Sequence, residues 1–293
     1  MEQERKGEKK MKTICILNNK GGVGKTVTTT TVAHLLGEEH NKKVLVIDVD
    51  PQGNTTNLFG GADVIELLVS LLQGEAQKRD TLSVENLLID ATIDVHDCIR
   101  ATEYKNIDII PAFLTLSEVE EQLKADIRTP QQFRLKNHLE KIKDEYDYCI
   151  IDCSPSISLV NINGLASADE VFIPMRCDAW SAVGMCIATN LVETVKTFNP
   201  KLKVGGCFFT QWNGRKNISK EVYELLNKCV PDTLIPIKIS VGKDAEEISF
   251  TQKPLGAYES RRKNKSKVLT DYMLLTEYIV SNDRKGFVKK LSA

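Results

Sequence analysis

Asn18-Asn19-Lys20-Gly21-Gly22-Val23-Gly24-Lys25-Thr26 follows the apolar run Thr13-Ile14-Cys15-Ile16-Leu17 and precedes a helix-like segment carrying Val32, Leu35 and Leu36. Strand, glycine-rich turn and helix, in that order, are the context a phosphate-binding loop requires. Glycines let backbone N–H groups converge on a polyphosphate with no Cβ in the way. The following helix adds its free N–H groups and the positive end of its dipole. In such a loop Lys25 reaches the β- and γ-phosphates, and the Thr26 hydroxyl holds Mg²⁺.

The stretch departs from the common pattern G-x-x-x-x-G-K-[ST]. Asn19 stands where the first glycine belongs, and Lys20 is a second cation five residues before Lys25. A lysine in a loop already closed by glycines has no folding task; the plain alternative is a solvated surface side chain. K-G-G-V-G-K-T resembles the deviant Walker A motif of the ParA/MinD group of P-loop ATPases. The resemblance implies that Lys20 reaches across a dimer to the partner subunit's nucleotide. It also implies a nucleotide-binding set of Lys20, Gly21, Gly22, Val23, Gly24, Lys25, Thr26 and Val27.

Downstream, Val44-Leu45-Val46-Ile47 is a continuous apolar run, as suits a strand buried on both faces of a parallel sheet. It ends in Asp48-Val49-Asp50-Pro51-Gln52-Gly53-Asn54, where Pro51 and Gly53 force a loop. Ligands of open α/β sheets bind outside the carboxyl ends of the strands, so Asp48 and Asp50 are expected to face the phosphates. A turn or helix-capping aspartate is the plain alternative, and it suits Asp48 better. D-V-D-P-Q-G-N resembles the switch I segment of ParA proteins, which assigns the attacking water to Asp50. The catalytic set is therefore Lys20, Lys25 and Asp50. Tyr148-Cys149-Ile150-Ile151-Asp152 repeats the strand-plus-aspartate logic about 125 residues after the loop. It resembles a Walker B strand, which pairs Asp152 with Thr26 at the metal.

Between these motifs the pattern predicts helices over Val64–Leu72, Leu114–Leu123 and Phe133–Ile142, and a strand over Asn106–Ile110. Beyond Asp152 it predicts a helix over Asn161–Ala168, a strand at Glu170–Pro174, a helix to about Phe198 and a strand over Val204–Thr210. A last helix carries Val268, Tyr272, Leu275 and Ile279. The stretch A-D-E-V-F-I-P-M-R-C-D-A-W-S-A-V-G-M is very similar to ParA. Thr210-Gln211-Trp212-Asn213 and Arg215 occupy the family segment beside the adenine base. Departures are Val27, where threonine is usual, Ser154 and Lys238. Alternating strands and helices define a single doubly wound, mostly parallel α/β sheet flanked by helices, the P-loop NTPase architecture. The expected division is a frayed lead over 1–11, an ATPase domain over 12–281 and a basic tail over 282–293.

Composition narrows the function classes. At 293 residues with 42% hydrophobic and 27% charged residues, the chain has the make-up of a soluble globular domain. The charged N-terminus lacks an apolar signal-peptide core and no apolar run approaches 18 residues, so a cytoplasmic location is expected. The eight cysteines form no C-x-x-C pair and read as buried thiols rather than zinc ligands. The net charge of −1 hides an asymmetry: residues 1–152 carry 19 Lys/Arg against 26 Asp/Glu, residues 153–293 carry 20 against 14. In the basic half, Arg261, Arg262, Lys263, Lys265 and Lys267 gather before the last helix, where the dipole repels cations. Contacts to a polyanion explain them better than helix stabilisation does.

The resemblance spans roughly residues 11–280 and implies a ParA/Soj-type partition ATPase using ATP and Mg²⁺. It implies an ATP-dependent homodimer, non-specific DNA binding, association with the nucleoid, a ParB-like centromere-bound partner and slow intrinsic turnover. A MinD-like membrane ATPase is the first alternative, because Arg284-Lys285-Gly286-Phe287-Val288-Lys289-Lys290-Leu291 resembles a basic amphipathic membrane-targeting tail. A binding module that keeps nucleotide as a structural element is the second, and Lys25, Asp50 and Asp152 argue against it.

Overall fold

The computed structural model describes residues 10–60, 72, 81–126 and 129–292. Strands β1 (Lys12–Ile16), β2 (Val44–Val49), β3 (Arg100–Ala101), β4 (Ile107–Ile110), β5 (Tyr148–Cys153), β6 (Glu170–Met175), β7 (Lys203–Trp212) and β8 (Leu234–Ser240) form one sheet. Its order is β3-β4-β2-β5-β1-β6-β7-β8. Every pairing is parallel except β3 with β4. The chain leaves β1 for one edge, returns to insert β5 beside β1, then continues outward on the other side. The crevice at that reversal is where an open α/β sheet binds its ligand. The loops after β1, β2 and β5 open side by side at it.

All six residues of β2 are buried, and so are five of the six in β5. Helices cover both faces. On one, α1 (Lys25–Glu38) and the helix Lys267–Val280 close over Ile14, Ile16, Val44, Val46, Ile150, Phe172 and Phe208. On the other, the helices Val84–Ile89, Leu116–Ala125, Arg134–Leu139, Leu159–Ser167 and Ala179–Lys196 cover Cys15, Leu45, Ile47, Ile151 and Ile173. In chain order, α1 is followed by α2 (Asn54–Gly60), α3 (84–89), α4 (Val95–Cys98), α5 (116–125), α6 (134–139), α7 (159–167) and α8 (179–196). Then come α9 (Asn217–Cys229), α10 (Lys243–Thr251), α11 (Leu255–Tyr258), α12 (267–280) and α13 (Arg284–Ser292).

Helix α1 contains a run of threonines that lowers its intrinsic stability. Thr28, Thr29, Thr30 and Thr31 are fully buried. Thr28 Oγ1 meets Tyr272 OH of α12 at 3.1 Å, Thr29 Oγ1 donates to Asp152, and Thr30 Oγ1 returns to Thr26 O at 2.8 Å. The bonds of Thr28 and Thr29 are tertiary and help hold a helix that propensity disfavours, whereas that of Thr30 stays within the helix.

Several boundaries differ from the sequence pattern. Met11 is buried and its N–H donates to Lys143 O at 2.9 Å, so ordered packing begins inside the expected lead. The helix expected over 133–142 is a 3₁₀ turn at Gln131–Phe133 followed by α6. The expected helix over 64–72 lies outside the described residues apart from Leu72. Cys186 and Cys229 are exposed, whereas Cys15, Cys98, Cys149, Cys153 and Cys207 are buried. Residues 284–292, read as a tail, form helix α13, with Phe287 and Val288 packed on the α1-side core.

Arg284 anchors that helix. Its guanidinium grips both oxygens of Glu170 at 2.9 and 2.7 Å, and Lys12 and Lys203 reach the same carboxylate at 2.9 and 3.2 Å. Burial alone would favour the protonated acid, but the bonds from Arg284 and Lys12 outweigh it and hold the carboxyl at about 2. A depressed folded-state value stabilises the protein above the ordinary value of 4.5, and that contribution is lost as pH falls towards 2. Glu170→Gln is expected to cost roughly 2–4 kcal/mol at pH 7, because three cations lose a buried partner. Chemical denaturation of both proteins should show the gap shrinking as pH is lowered from 4.5.

Candidate phosphate-binding site

The loop between β1 and α1 is built around two left-handed glycines. Gly22 has φ +70° and Gly24, which precedes the first turn of α1, has φ +85°. A Cβ at Gly21 or Gly22 would meet nothing within 4 Å, so the loop is an open cradle there. The first N–H groups of α1 have no acceptor within the helix and face the loop. Lys25 is buried and its Nζ folds back onto Asn18 O and Lys20 O, both at 3.1 Å. Burial lowers its pKa, and the charges of Asp152 and Asp50 partly restore it through space. Lys25 is thus a buried cation resting on carbonyl oxygens, suited to an anion seated in the cradle.

Asp152 is the complementary feature. It is fully buried at the end of β5 and accepts three hydroxyl bonds: Thr26 at 2.8 Å, Thr29 at 3.1 Å and Thr55 at 2.6 Å. Burial raises its pKa against the pull of those hydroxyls and of Lys25. Asp48, its Cα partner across β2 and β5, points to the same face. Burial and the neighbouring Asp152 charge push Asp48 up to about 8. One buried carboxylate, Asp152, bonded to the Thr26 hydroxyl at the mouth of a phosphate cradle suits a divalent cation.

Asp48 and Asp50, expected together at the phosphates, divide their tasks. Asp48 is turned inward: its Oδ2 accepts Thr56 N–H and Oγ1 at 2.9 and 2.8 Å, fixing α2. It is a structural cap and not a phosphate-facing group, because β2 buries it completely. Asp50 lies one residue past β2, partly exposed, with Oδ1 accepting Gln52 N–H at 3.0 Å. Val23 is buried and Val27 packs on the α1-side core, so both support the loop with backbone and bulk.

Lys20 has a fixed backbone and a displaced head. Its N–H donates to Asn18 Oδ1 at 2.9 Å and its carbonyl receives Lys25, while its ammonium sits 2.5 Å from Asp178 Oδ1 at the start of α8. Partial burial opposes the Asp178 charge, but the Lys20 bond and the Ser181 N–H outweigh it and keep the carboxyl below its ordinary range.

Six supporting contacts were not read from sequence. Asn18 Nδ2 donates to Pro174 O at 2.8 Å and ties the loop to β6. Thr210 Oγ1 donates to Val23 O at 2.8 Å, and Gln211 Nε2 to Gly22 O at 3.0 Å, so the end of β7 grips the loop from the other side. Thr29 could have been found, since it lies one turn after Thr26 on the same helix face. Thr55 and Asp178 carry no such signal; pairing of β5 between β2 and β1, and of β6 beside β1, brings them in.

The cationic cluster occupies the α11–α12 connection. Lys265 Nζ donates to Glu259 O at 2.8 Å, Lys267 pairs with Asp271 at 3.0 Å, and Arg262 lies 4.8 Å over the Tyr258 ring. All five cations are solvent-exposed. Ser266 caps α12, accepting Leu269 N–H at 3.1 Å.

A doubly wound sheet with a glycine cradle at its switch point, a buried lysine and a hydroxyl-held aspartate defines a P-loop nucleoside-triphosphatase. A family model described as an AAA domain matches residues 11–204. The chain is 35% identical over 253 residues to the sporulation initiation inhibitor protein Soj of Bacillus subtilis, covering 85% of this chain and 92% of that one. It is 32% identical over 278 residues to the chromosome partitioning protein ParA of Myxococcus xanthus, covering 92% and 88%. The chain belongs to the ParA/Soj family of partition ATPases. A putative plasmid partition protein of Borrelia burgdorferi, solved with AMPPNP, superposes with TM-score 0.70 at 25% identity over 91% of this chain and 98% of that one. The cell-division ATPase MinD of Pyrococcus furiosus shares the fold, with TM-score 0.68 at 20% identity, covering 92% and 98%.

Gly184 of α8 tests how tightly the loop is held. A Cβ there would lie 2.4 Å from Asn18 Oδ1. Gly184→Ala is therefore expected to break the Asn18 bridge between the loop and β6, at an overpacking cost of about 1–3 kcal/mol. Thermal unfolding should show a lowered midpoint, and titration with a fluorescent ATP analogue should show weaker binding.

Proposed function

We propose that this protein hydrolyses ATP in a Mg²⁺-dependent reaction and uses the nucleotide to switch between a monomer and a DNA-bound homodimer. The observation that carries this reading is the separation of the two loop lysines. Lys25 is buried in its own cradle, whereas the Lys20 ammonium stands outside it on a partly exposed ion pair. A cation already placed at the rim can serve a second subunit's phosphates with no change in its own backbone.

Bound Mg²⁺ supplies Lewis-acid polarisation and charge neutralisation at the phosphates. The protein supplies the rest. Backbone N–H groups of residues 21–27 and the Lys25 ammonium bind the phosphate oxygens. Thr26, through its hydroxyl, and Asp152, through its carboxylate, would hold the metal. Asp50 accepts a hydrogen bond from the attacking water and orients it. Removing Lys25 as Lys25→Ala is expected to weaken ATP binding about 10- to 100-fold, the loss of one charge-assisted bond of ~1.5–3 kcal/mol. Isothermal titration checks this, and wild-type affinity would sink the site. Asp50→Ala should still bind ATP and dimerise while phosphate release falls by at least about 100-fold; normal turnover would place the water elsewhere. Lys20→Ala should bind ATP as a monomer, and light scattering that shows a normal ATP-dependent dimer would end the trans role.

A dimer doubles the cations presented to one polyanion, which couples ATP to DNA binding through geometry. The exposed Arg261, Arg262, Lys263, Lys265 and Lys267 are the surface we assign to phosphate contacts, independent of base sequence. A ParB-like partner that stimulates hydrolysis would release the dimer, and a switch that moves cargo across the nucleoid requires slow unstimulated turnover. The membrane-bound alternative is less well supported, because α13 turns Phe287 and Val288 onto the core. The Phe287 ring lies 6.1 Å from that of Tyr278. Among the described residues no helix is long and apolar enough to cross a membrane. Arg261→Glu with Arg262→Glu is expected to abolish binding to unrelated DNA fragments while leaving ATP-dependent dimerisation intact. Unchanged DNA binding, or binding of wild type to anionic vesicles that is lost on deleting 283–293, would overturn this assignment.

A further inference from the structure

Asp178 does two things with one carboxylate. It caps α8: Oδ1 accepts Ser181 N–H at 2.9 Å and Oδ2 accepts Ser181 Oγ at 3.2 Å. It also receives the Lys20 ammonium at 2.5 Å. The cap needs only an acceptor oxygen, which asparagine supplies equally well. The ion pair needs the charge. The pair is about one-third exposed on each side, in reach of anything that docks on the loop. The backbone of Lys20 is held at both ends, by Asn18 Oδ1 and by Lys25, so only its side chain is free to exchange partners. Arg176 waits beside the same carboxylate, with Nε 3.9 Å from Asp178 Oδ2. When Lys20 leaves, a second cation is already in place, and Asp178 is not stranded.

We propose that Asp178 is a positioning residue for Lys20: it latches the ammonium in its own subunit and sets how much nucleotide-driven attraction is required before two copies close. The inference rests on the trans role of Lys20 proposed above. In the resting chain Lys20 neutralises Asp178. On closure a triphosphate with several negative charges on the opposing copy outcompetes one carboxylate, Lys20 crosses, and Arg176 moves onto Asp178. No bond is made or broken beyond ion pairs and hydrogen bonds. The latch holds Lys20 close to its rim position and suppresses closure on weaker anions such as a diphosphate. Two latches open for each dimer formed, so the effect on pairing is the square of the effect of one.

Asp178→Asn separates the two tasks, because it keeps the helix cap and removes the charge. Breaking an exposed ion pair shifts an equilibrium by roughly two- to fivefold, so two of them are expected to tighten dimerisation by roughly 4- to 25-fold. The measurement is the dimer dissociation constant by analytical ultracentrifugation with Mg²⁺ and AMPPNP, for wild type, Asp178→Asn, Lys20→Ala and the double variant. Monomer affinity for the analogue should be unchanged in Asp178→Asn, and its thermal midpoint should match wild type. Lys20→Ala and the double variant should both stay monomeric, since no lysine remains to be released; a purely structural effect of Asp178→Asn would instead show in the monomer's affinity for the analogue or in its thermal midpoint. Should Asp178→Asn unfold, Asp178→Ser, also a competent cap, takes its place. Tighter pairing that depends on Lys20 supports the latch. If wild type dimerises through Lys20 but Asp178→Asn pairs equally or more weakly, the latch is wrong and the trans role stands. Should wild type fail to dimerise on the analogue, the trans role fails and the latch falls with it.

Discussion

The hold of three hydroxyls on Asp152 is the contact on which the working end of this protein depends. A carboxylate at a fully buried strand end is costly unless its lone pairs are occupied. Thr26 and Thr29 come from α1 and Thr55 from α2, so one buried charge binds the two helices that flank the crevice to the central strand β5. Lys25 lies close enough to favour the charge, but rests on backbone oxygens and not on the carboxylate. Opposite charges buried near one another without contact leave room between them for a ligand that carries both signs. A metal-bound polyphosphate has that character.

The other end of the sheet solves the same problem in the opposite way. Glu170 begins β6, is equally buried, and is closed by Lys12, Lys203 and Arg284 in direct contact. Arg284 also bonds Tyr278 O and Ile279 O and lies 4.9 Å over the Tyr278 ring, so the C-terminal helix is sewn onto the core. One end of the sheet is a satisfied ionic lock that contributes stability. The crevice end keeps its charges apart, and the scaffold's rigidity compensates for that local cost.

Between the crevice and solvent stands Lys20. Its position is governed by α8, which approaches the loop so closely that Gly184 leaves no space for a side chain beside Asn18. The same helix start carries Asp178. Loop geometry and the resting place of the second lysine are therefore set by one helix, and any partner that displaces α8 acts on both. Trp180 and Val183, on the first turns of α8, are exposed large apolar side chains next to that ion pair.

Much of this was legible in the chain alone. The four-residue apolar run before Asp48, the glycine cradle and the run before Asp152 fixed three parallel strands and the crevice they share. That is because continuous apolar strands can be buried only between two helical layers, and glycine-rich turns between strand and helix are rare outside phosphate sites. Lys25 and Thr26 stood out by their place in one loop, and Asp152 by its place at one strand end together with the family resemblance, so all three could be proposed as site residues from the chain alone. What sequence could not supply was the traffic between distant segments. The capping alternative suited Asp48 better than Asp50 in the sequence, but only strand pairing shows Asp48 buried against Thr56 of α2 and Asp50 left at the rim. Thr55 reaches Asp152 across 97 residues, and Asp178 reaches Lys20 across 158. The C-terminal basic segment looked like a free tail until Glu170 was seen to hold Arg284 across 114 residues. Local chemistry determined which groups are candidates for a phosphate; the order of strands in the sheet decided which charges are satisfied and which are left waiting, because only tertiary packing sets the distance between groups far apart in the chain.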